Sequence, residues 1–115
     1  MINEVYEYTQ EGFRIFPLWS FEGNTCGCPN ENCNQAGKHP SITSWTKVPV
    51  WSDEQLEAML EYSIKTGFGV VVENHLIVDV DPRNGGRDGL AALIADLGID
   101  LVAECGYHVI TGGNG

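Results

Sequence analysis

The alternation of apolar and polar positions along the chain predicts strands and helices in mixed order, the pattern of an α/β (α+β) domain. Residues 3–11 predict a short N-terminal helix that ends at Gly12, and the large alternating apolar residues at 13–18 predict a strand. Further along, Ser52 and Gln55 form a capping pair ahead of an amphipathic helix. That helix places three apolar residues on one face: Leu56, Met59 and Leu60.

Two runs of strand-forming residues in the middle of the chain predict an antiparallel hairpin. The first run is 68–73 (FGVVVE) and the second is 76–81 (LIVDVD), and the turn between them is so short that the two strands must pair with each other. His75 lies at the tip of this turn, where we expect a solvated side chain. The predicted architecture is therefore a mixed, largely antiparallel sheet flanked by helices.

The second run ends in two acids, Asp79 and Asp81, on one face of the predicted strand. Residues two apart in a strand lie about 6–7 Å apart, so both carboxylates could reach one hard cation. They could also bracket two cations about 3.5–4 Å apart. An ordinary strand end with solvated acids is the alternative, since a lone Asp-x-Asp pair is a weak motif.

A glycine-rich loop, 81–87 (DPRNGGR), follows the acids and leads into a helix. We expect Asp88 to cap this helix and Gly98 to end it. A helix N-terminus beside such a loop favours phosphate, and Arg83 and Arg87 would add positive charge there. A connecting loop with solvated arginines is the alternative interpretation.

The last predicted element is a strand at 107–111, followed by the glycine-rich residues 112–115. A turn of this kind normally leads into a returning element. We therefore interpret residues 1–115 as a single partial domain.

Composition fits a folded protein, because 43% of the residues are hydrophobic and 19% are charged. No apolar run approaches the ~20 residues of a membrane span, and the N-terminus lacks a basic signal-peptide start, so we expect a cytoplasmic protein with no membrane partner. The formal charge is −10, from 16 acidic residues against 6 lysines and arginines. The scattered basic residues count against a free-standing DNA-binding module.

An insertion at about 22–40 (EGNTCGCPNENCNQAGKHP) has almost no apolar side chains that could anchor it to a core. Three thiols and one imidazole could order it instead, and they have the ligand count of a closed structural zinc site. The candidate ligands are Cys26, Cys28, Cys33 and His39. Their spacing, C-x-C-x₄-C-x₅-H, differs from the usual pair of CxxC knuckles.

Free thiols are the main alternative to zinc. Cytoplasmic conditions disfavour a disulfide, and Cys26 and Cys28 are too close in sequence to bridge without strain. The remote Cys105 is expected to be a small buried hydrophobe. Residues 41–51 are expected to form an irregular connection in which the two tryptophans anchor the loop or the core rather than stack on bases.

These elements, in this order, resemble the N-terminal part of the bifunctional primase–polymerase (prim-pol) domain of the archaeo-eukaryotic primase superfamily. The resemblance covers nearly the whole chain, and LIVDVDPRNGG is its most specific part. The other matching features are GFRIFPL after a short helix, the Cys/His insertion ending in GKHP, Trp45 ahead of a helix, FGVVVENH, a helix of the DGLAALIADLG type, and TGGNG.

The resemblance implies a nucleotidyltransferase that synthesises primers or polymerises DNA. Asp79 and Asp81 match the catalytic carboxylates of the family, which hold Mg²⁺ or Mn²⁺ with a nucleoside triphosphate. Lys38, Arg83 and Arg87 are candidate phosphate contacts, and zinc in the insertion would be structural. The implied partners are nucleoside triphosphates, a single-stranded DNA template, and a fused or associated helicase.

The family also has a nucleotide-binding histidine just past the glycine-rich turn and a third carboxylate later still, and the resemblance places both after Gly115. His108 precedes the turn and does not match that histidine. The sequence is therefore interpreted as a truncated catalytic domain, and we expect residues 1–115 alone to be inactive in primer synthesis.

Three other functions are compatible with parts of the pattern. A haloacid-dehalogenase-like phosphatase also begins with an apolar strand ending in Asp-x-Asp, and Thr111 ends a later strand as its second motif would. The residues that follow the acids in that family are missing here. A non-catalytic, zinc-stapled interaction module is the second possibility. A sugar transferase with a metal-binding Asp-x-Asp is the third, and it has no other support.

Overall fold

Residues 2–109 are described by the structure, a computed structural model, and they form helices and small antiparallel sheets in an α+β arrangement. The chain divides into two units, Met1–Asn74 and His75–Gly115. Within residues 2–109, no helix is long and apolar enough to cross a membrane.

The first unit begins with helix α1, Ile2–Gln10, which confirms the predicted N-terminal helix. The chain leaves α1 through Gly12, whose φ of +84° lies in the left-handed region that favours glycine. The strands described in this unit are β1 Arg14–Pro17, β2 Phe21–Glu22, β3 Thr25–Cys26 and β4 Phe68–Val71. Strand β1 confirms the predicted strand at 13–18.

Two antiparallel pairs are formed by these strands. Strand β1 pairs with β4, in a register that places Arg14 opposite Val71 and Pro17 opposite Phe68. The short strands β2 and β3 pair with each other and form a hairpin that the sequence pattern did not predict. The guanidinium of Arg14 donates to the carbonyls of residues 46 and 48 and forms an ion pair with Glu73.

Helix α2, Asp53–Tyr62, packs its apolar face into the main core of this unit. The Trp51 indole N–H donates to the carbonyl of Ile15 in β1, at 2.7 Å, so the side chain anchors the connection to the sheet as predicted. The buried residues of this core are Val5, Ile15, Leu56, Met59 and Ile64.

The N-terminus of α2 is closed by the predicted capping box. Ser52 Oγ accepts from the Gln55 backbone N–H, and the Gln55 side chain accepts from the Ser52 N–H. Ser52→Ala should therefore lower the free energy of unfolding by about 1 kcal/mol, measured by urea denaturation. Ser44→Ala is the matched control, because Ser44 precedes a 3-10 turn without a capping hydrogen bond. Equal losses in the two variants would contradict the capping role.

The predicted hairpin of residues 68–73 and 76–81 is wrong. Strand β4 pairs with β1, and residues 76–81 are not in a strand. Asn74 adopts a φ of +56°, which interrupts the extended backbone just after β4. Leu76 is 88% exposed, and its two apolar neighbours are also exposed. A segment with strand propensity forms a strand only when a neighbouring strand or packed surface is available to it. The alternation of apolar and polar residues does not specify that neighbour.

The second unit contains a 3-10 turn, Pro82–Asn84, followed by helices α3, Gly86–Leu97, and α4, Leu101–Glu104. The expectation that Asp88 caps α3 is wrong, because Gly85 occupies the N-cap with a φ of +74°. Asp88 instead lies in the first turn, where its negative charge complements the helix N-terminus. Gly98 ends α3 as predicted.

The last predicted strand, at 107–111, falls partly outside the described residues. Residues 107–109 are described and are not in a strand. The remainder of that strand and the glycine-rich residues 112–115 lie outside the described range.

Candidate metal centre and acidic loop

The loop that carries the candidate zinc ligands is attached directly to residues 18–19, which follow β1 in the chain. Leu18 forms an antiparallel bridge with Pro40, and the Trp19 N–H donates to the His39 carbonyl at 2.8 Å. This pairing fixes the backbone of His39 beside the sheet. On the other side of the loop, the Gly27 N–H donates to the carbonyl of Ser20 at 2.7 Å.

The β2–β3 hairpin positions the first two ligands. Cys26 ends β3, and Cys28 follows after Gly27. A Cβ at Gly27 would lie 2.8 Å from the Ser20 carbonyl oxygen, so only glycine allows the backbone to approach so closely here. The turn between Cys26 and Cys28 is therefore held against the backbone of Ser20.

The four predicted ligands form one group, which we call the Cys/His cluster (Cys26, Cys28, Cys33 and His39). Their ligand atoms all lie within 4.8 Å of one another. His39 Nδ1 lies 3.6 Å from Cys26 Sγ and 3.4 Å from Cys33 Sγ. A tetrahedral zinc ion with ordinary Zn–S and Zn–N distances separates sulfur from nitrogen by about 3.6 Å. Both the donor set and the spacing therefore fit a metal ion such as zinc.

The local environment of the cluster shifts the pKa values of two of its thiols in opposite directions. The Gln35 backbone N–H, directed at the sulfur, lowers the pKa of Cys33, whereas burial raises the pKa of Cys26. All four ligands are half-buried, and none of the three cysteines of the cluster forms a disulfide. Among residues 2–109, no other group of three or more His, Cys, Asp and Glu side chains is gathered closely enough to hold a metal ion.

The acidic loop (residues 79–87) is organised by Asp81. Its Oδ1 accepts from the Arg83 backbone N–H at 3.0 Å and from Arg83 Nε at 3.1 Å, and its Oδ2 accepts from Asn84 Nδ2 at 2.7 Å. The Gly86 N–H donates to the Asp81 carbonyl at 2.8 Å. A Cβ at Gly86 would lie 2.6 Å from the Asp81 backbone nitrogen, so this close turn requires glycine.

Asp81 is thereby held in its ionised form. The hydrogen bond from the Arg83 side chain, followed by the bond from its backbone, lowers the pKa of Asp81. The stabilisation from these bonds is present above the unfolded-state pKa and is lost as the pH falls through the lowered folded-state pKa. An ionised carboxylate has about four lone-pair sites, so these hydrogen bonds leave a lone pair that can bind a hard cation.

Asp79 is exposed, two residues before the half-buried Asp81. The pair belongs to no cluster of three or more potential ligands within the described part of the chain. A two-carboxylate site at Asp79 and Asp81 therefore fits Mg²⁺ or Mn²⁺ in its donor chemistry and stays a prediction.

The predicted phosphate contacts differ in their surroundings. Arg83 is engaged with Asp81, and Arg87 is exposed in the first turn of α3. Lys38 belongs to the first unit, where it lies at an open groove of about 720 Å³. Apolar residues form much of the groove lining, among them Phe16, Leu18, Trp45, Phe68 and Val70.

The structure departs from the sequence interpretation at one cysteine, and it shows two residues that the interpretation did not single out. Cys105 is exposed rather than buried. It follows the short helix α4, and the apolar side chains near it, such as Val102, are themselves exposed. The Cys105 thiol donates to the Tyr107 carbonyl. The sequence interpretation also missed Ser20 and Phe21, which hold the Cys/His loop (the insertion at residues 22–40) in place. The available signal was an aromatic residue immediately before a polar insertion.

Comparison with known proteins links these features to one family. The family model described as bifunctional DNA primase/polymerase, N-terminal, matches residues 5–115, a range that includes both the Cys/His cluster and the acidic loop. Comparisons with curated proteins and with solved structures give no significant match.

Proposed function

The chain belongs to the family of bifunctional DNA primase/polymerase N-terminal domains, and from this membership we propose that it contributes metal-dependent nucleotidyl transfer to primer synthesis or DNA polymerisation. The family match over residues 5–115 is the observation that carries the proposal. It supports nucleoside triphosphates and a DNA template as ligands. The phosphatase and sugar-transferase alternatives have no comparable support.

Asp79 and Asp81 are the residues to which we assign the catalytic cation. Asp79 is exposed and Asp81 is held ionised by Arg83 and Asn84, so both can act as oxygen donors. Mg²⁺ or Mn²⁺ bound there would activate the attacking hydroxyl and stabilise the charge on the leaving pyrophosphate. The hydrogen bonds of Asp81 fix the loop that leads into α3, so the carboxylate is positioned before substrate arrives.

Phosphate groups would be held beside these acids by the start of α3. Helix α3 is 12 residues long, and its N-terminal N–H groups favour an anion. Arg87 lies in the first turn and adds positive charge. Arg83 serves first as the partner of Asp81, which makes Arg87 the more available phosphate contact in this unit.

Titration of the chain with Mn²⁺ should detect a weak site that a nucleoside triphosphate strengthens, because Mg²⁺-type sites rely on substrate phosphates for part of their coordination. The double substitution Asp79→Asn, Asp81→Asn should remove that binding. Asp96→Asn, a change of the same kind at an exposed acid on α3, should leave it intact. Equal Mn²⁺ binding by the double variant would contradict the assignment of the cation to Asp79 and Asp81.

We assign the Cys/His cluster a structural zinc ion, since three thiolates and one imidazole form a closed site without an open position for chemistry. A fused or associated helicase, a cytoplasmic location and a single partial domain over residues 1–115 remain predictions. The expected inactivity of these residues alone is tested by assaying primer synthesis with the 115-residue chain.

A further inference from the structure

Phe21 contacts both halves of the Cys/His loop. It lies in β2 directly opposite Cys26 in β3. Its ring also packs against Gly37, which lies between Cys33 and His39: a Cβ at Gly37 would lie 3.6 Å from the Cε2 and Cζ atoms of the ring. Through its backbone and its ring, this one residue therefore touches the segments that supply the metal ligands.

The same side chain reaches a second region, far away in sequence. The Phe21 N–H donates to Thr66 Oγ1 at 3.1 Å, and a Cβ at Gly67 would lie 3.2 Å from the ring atom Cε1. Gly67 directly precedes β4. The absence of side chains at Gly37 and Gly67 lets the ring lie close to both backbones.

These contacts matter because the loop has little other packing. None of the described residues between Leu18 and Val48 is buried, so hydrophobic burial provides little order there. The half-buried Phe21 ring is an apolar group that touches the Cys/His loop on one side and the segment preceding β4 on the other. Order imposed by a metal ion on the loop would reach residues 66–67 through this ring.

We propose that Phe21 is a positioning residue that couples the Cys/His cluster to the turn before β4, so that metal binding orders both segments together. The inference rests on the proposed zinc site. Coupling of this kind is reciprocal: a change at Gly67, 28 positions after the last ligand His39, should alter the affinity of the cluster for Zn²⁺.

The coupling is tested by measuring Zn²⁺ affinity in competition with a chromophoric chelator. Phe21→Ala should weaken binding by about tenfold, the lower end of the range seen when groups that orient metal ligands are removed. Gly67→Ala should also weaken binding, because the added methyl would meet the ring. The double variant should bind as weakly as Phe21→Ala alone, since without the ring the methyl has nothing to displace.

Two further variants separate this coupling from general damage to the fold. Thr66→Val removes only the acceptor of the Phe21 N–H and should weaken Zn²⁺ binding without altering the core. Gly89→Ala adds a methyl in open space on α3 and should leave the affinity unchanged. Hydrogen exchange of residues 64–68 in the wild-type chain should slow when Zn²⁺ is added.

The possible failures are distinguishable. A folded wild-type chain that binds no Zn²⁺ would overturn the zinc site itself. Wild-type binding with equal affinity in Phe21→Ala, Gly67→Ala and Thr66→Val would overturn the coupling and leave the zinc site standing. Additive losses in the Phe21→Ala, Gly67→Ala double variant, or unchanged exchange at 64–68 on adding Zn²⁺, would also overturn the coupling.

Discussion

The double substitution Asp79→Asn, Asp81→Asn should lower template-dependent nucleotide incorporation by about 10²–10³-fold or more in the protein that carries this domain. Neutral amides replace the two carboxylates assigned to the catalytic cation, and loss of that cation removes both nucleophile activation and stabilisation of the leaving pyrophosphate. Primer extension with a labelled primer, saturating nucleoside triphosphates and Mn²⁺ or Mg²⁺ measures the effect. Asp96→Asn, at an exposed position on α3, should retain wild-type activity.

The two single variants should differ in their secondary effects. Asp81 also accepts hydrogen bonds from Arg83 and Asn84, so Asp81→Asn should loosen the acidic loop in addition to removing a ligand. Asp79 is exposed, and Asp79→Asn is therefore the cleaner test of cation binding. Wild-type rates of incorporation by the double variant would show that the active site lies elsewhere.

Features set by interactions close in sequence were predictable. Ser52 and Gln55 are three positions apart, and the capping box that they predict is present at α2. The ligands of the Cys/His cluster fall within fourteen residues, from Cys26 to His39, and the structure brings their donor atoms together. In both cases the residue types themselves define the interaction, so that little information from the rest of the fold is needed.

Features that depend on a partner element were predicted less well. The apolar run at 76–81 has strong strand propensity, yet β4 pairs with β1 and this run is not a strand. Cys105 was expected to be buried from its residue type alone, and it is exposed. Burial and strand pairing are decided by what packs against a segment, which one sequence without its tertiary contacts does not specify.

The start of α3 shows a third reason why a prediction from sequence can be wrong. Asp88 is a good capping residue by type, but Gly85 takes the N-cap because the left-handed turn there suits glycine. The roles of Asp79 and Asp81 are different again: the family resemblance assigns them, whereas the described residues supply no third ligand beside them. Their assignment therefore comes from the family, and the activity assay tests it.

Cys33→Ser should abolish zinc binding and unfold the Cys/His loop. Structural zinc sites contribute folding free energy outright, and small zinc modules lose their structure without the metal. Here no described residue from 19 to 47 is buried, so the loop has no apolar core to retain its shape. Metal analysis should show about one zinc per wild-type chain and none in the variant. Hydrogen exchange should accelerate across residues 19–41.

Cys105→Ser is the matched control, because it makes the same chemical change at an exposed thiol outside the cluster. It should retain zinc and wild-type exchange in residues 19–41. A chelator added to the wild-type chain should reproduce the exchange pattern of Cys33→Ser, and α2 should stay protected because its buried residues pack in the separate main core. Slow exchange in residues 19–41 of a zinc-free chain would show that the loop is ordered by its attachments to β1 alone, and the structural role of zinc would then be wrong.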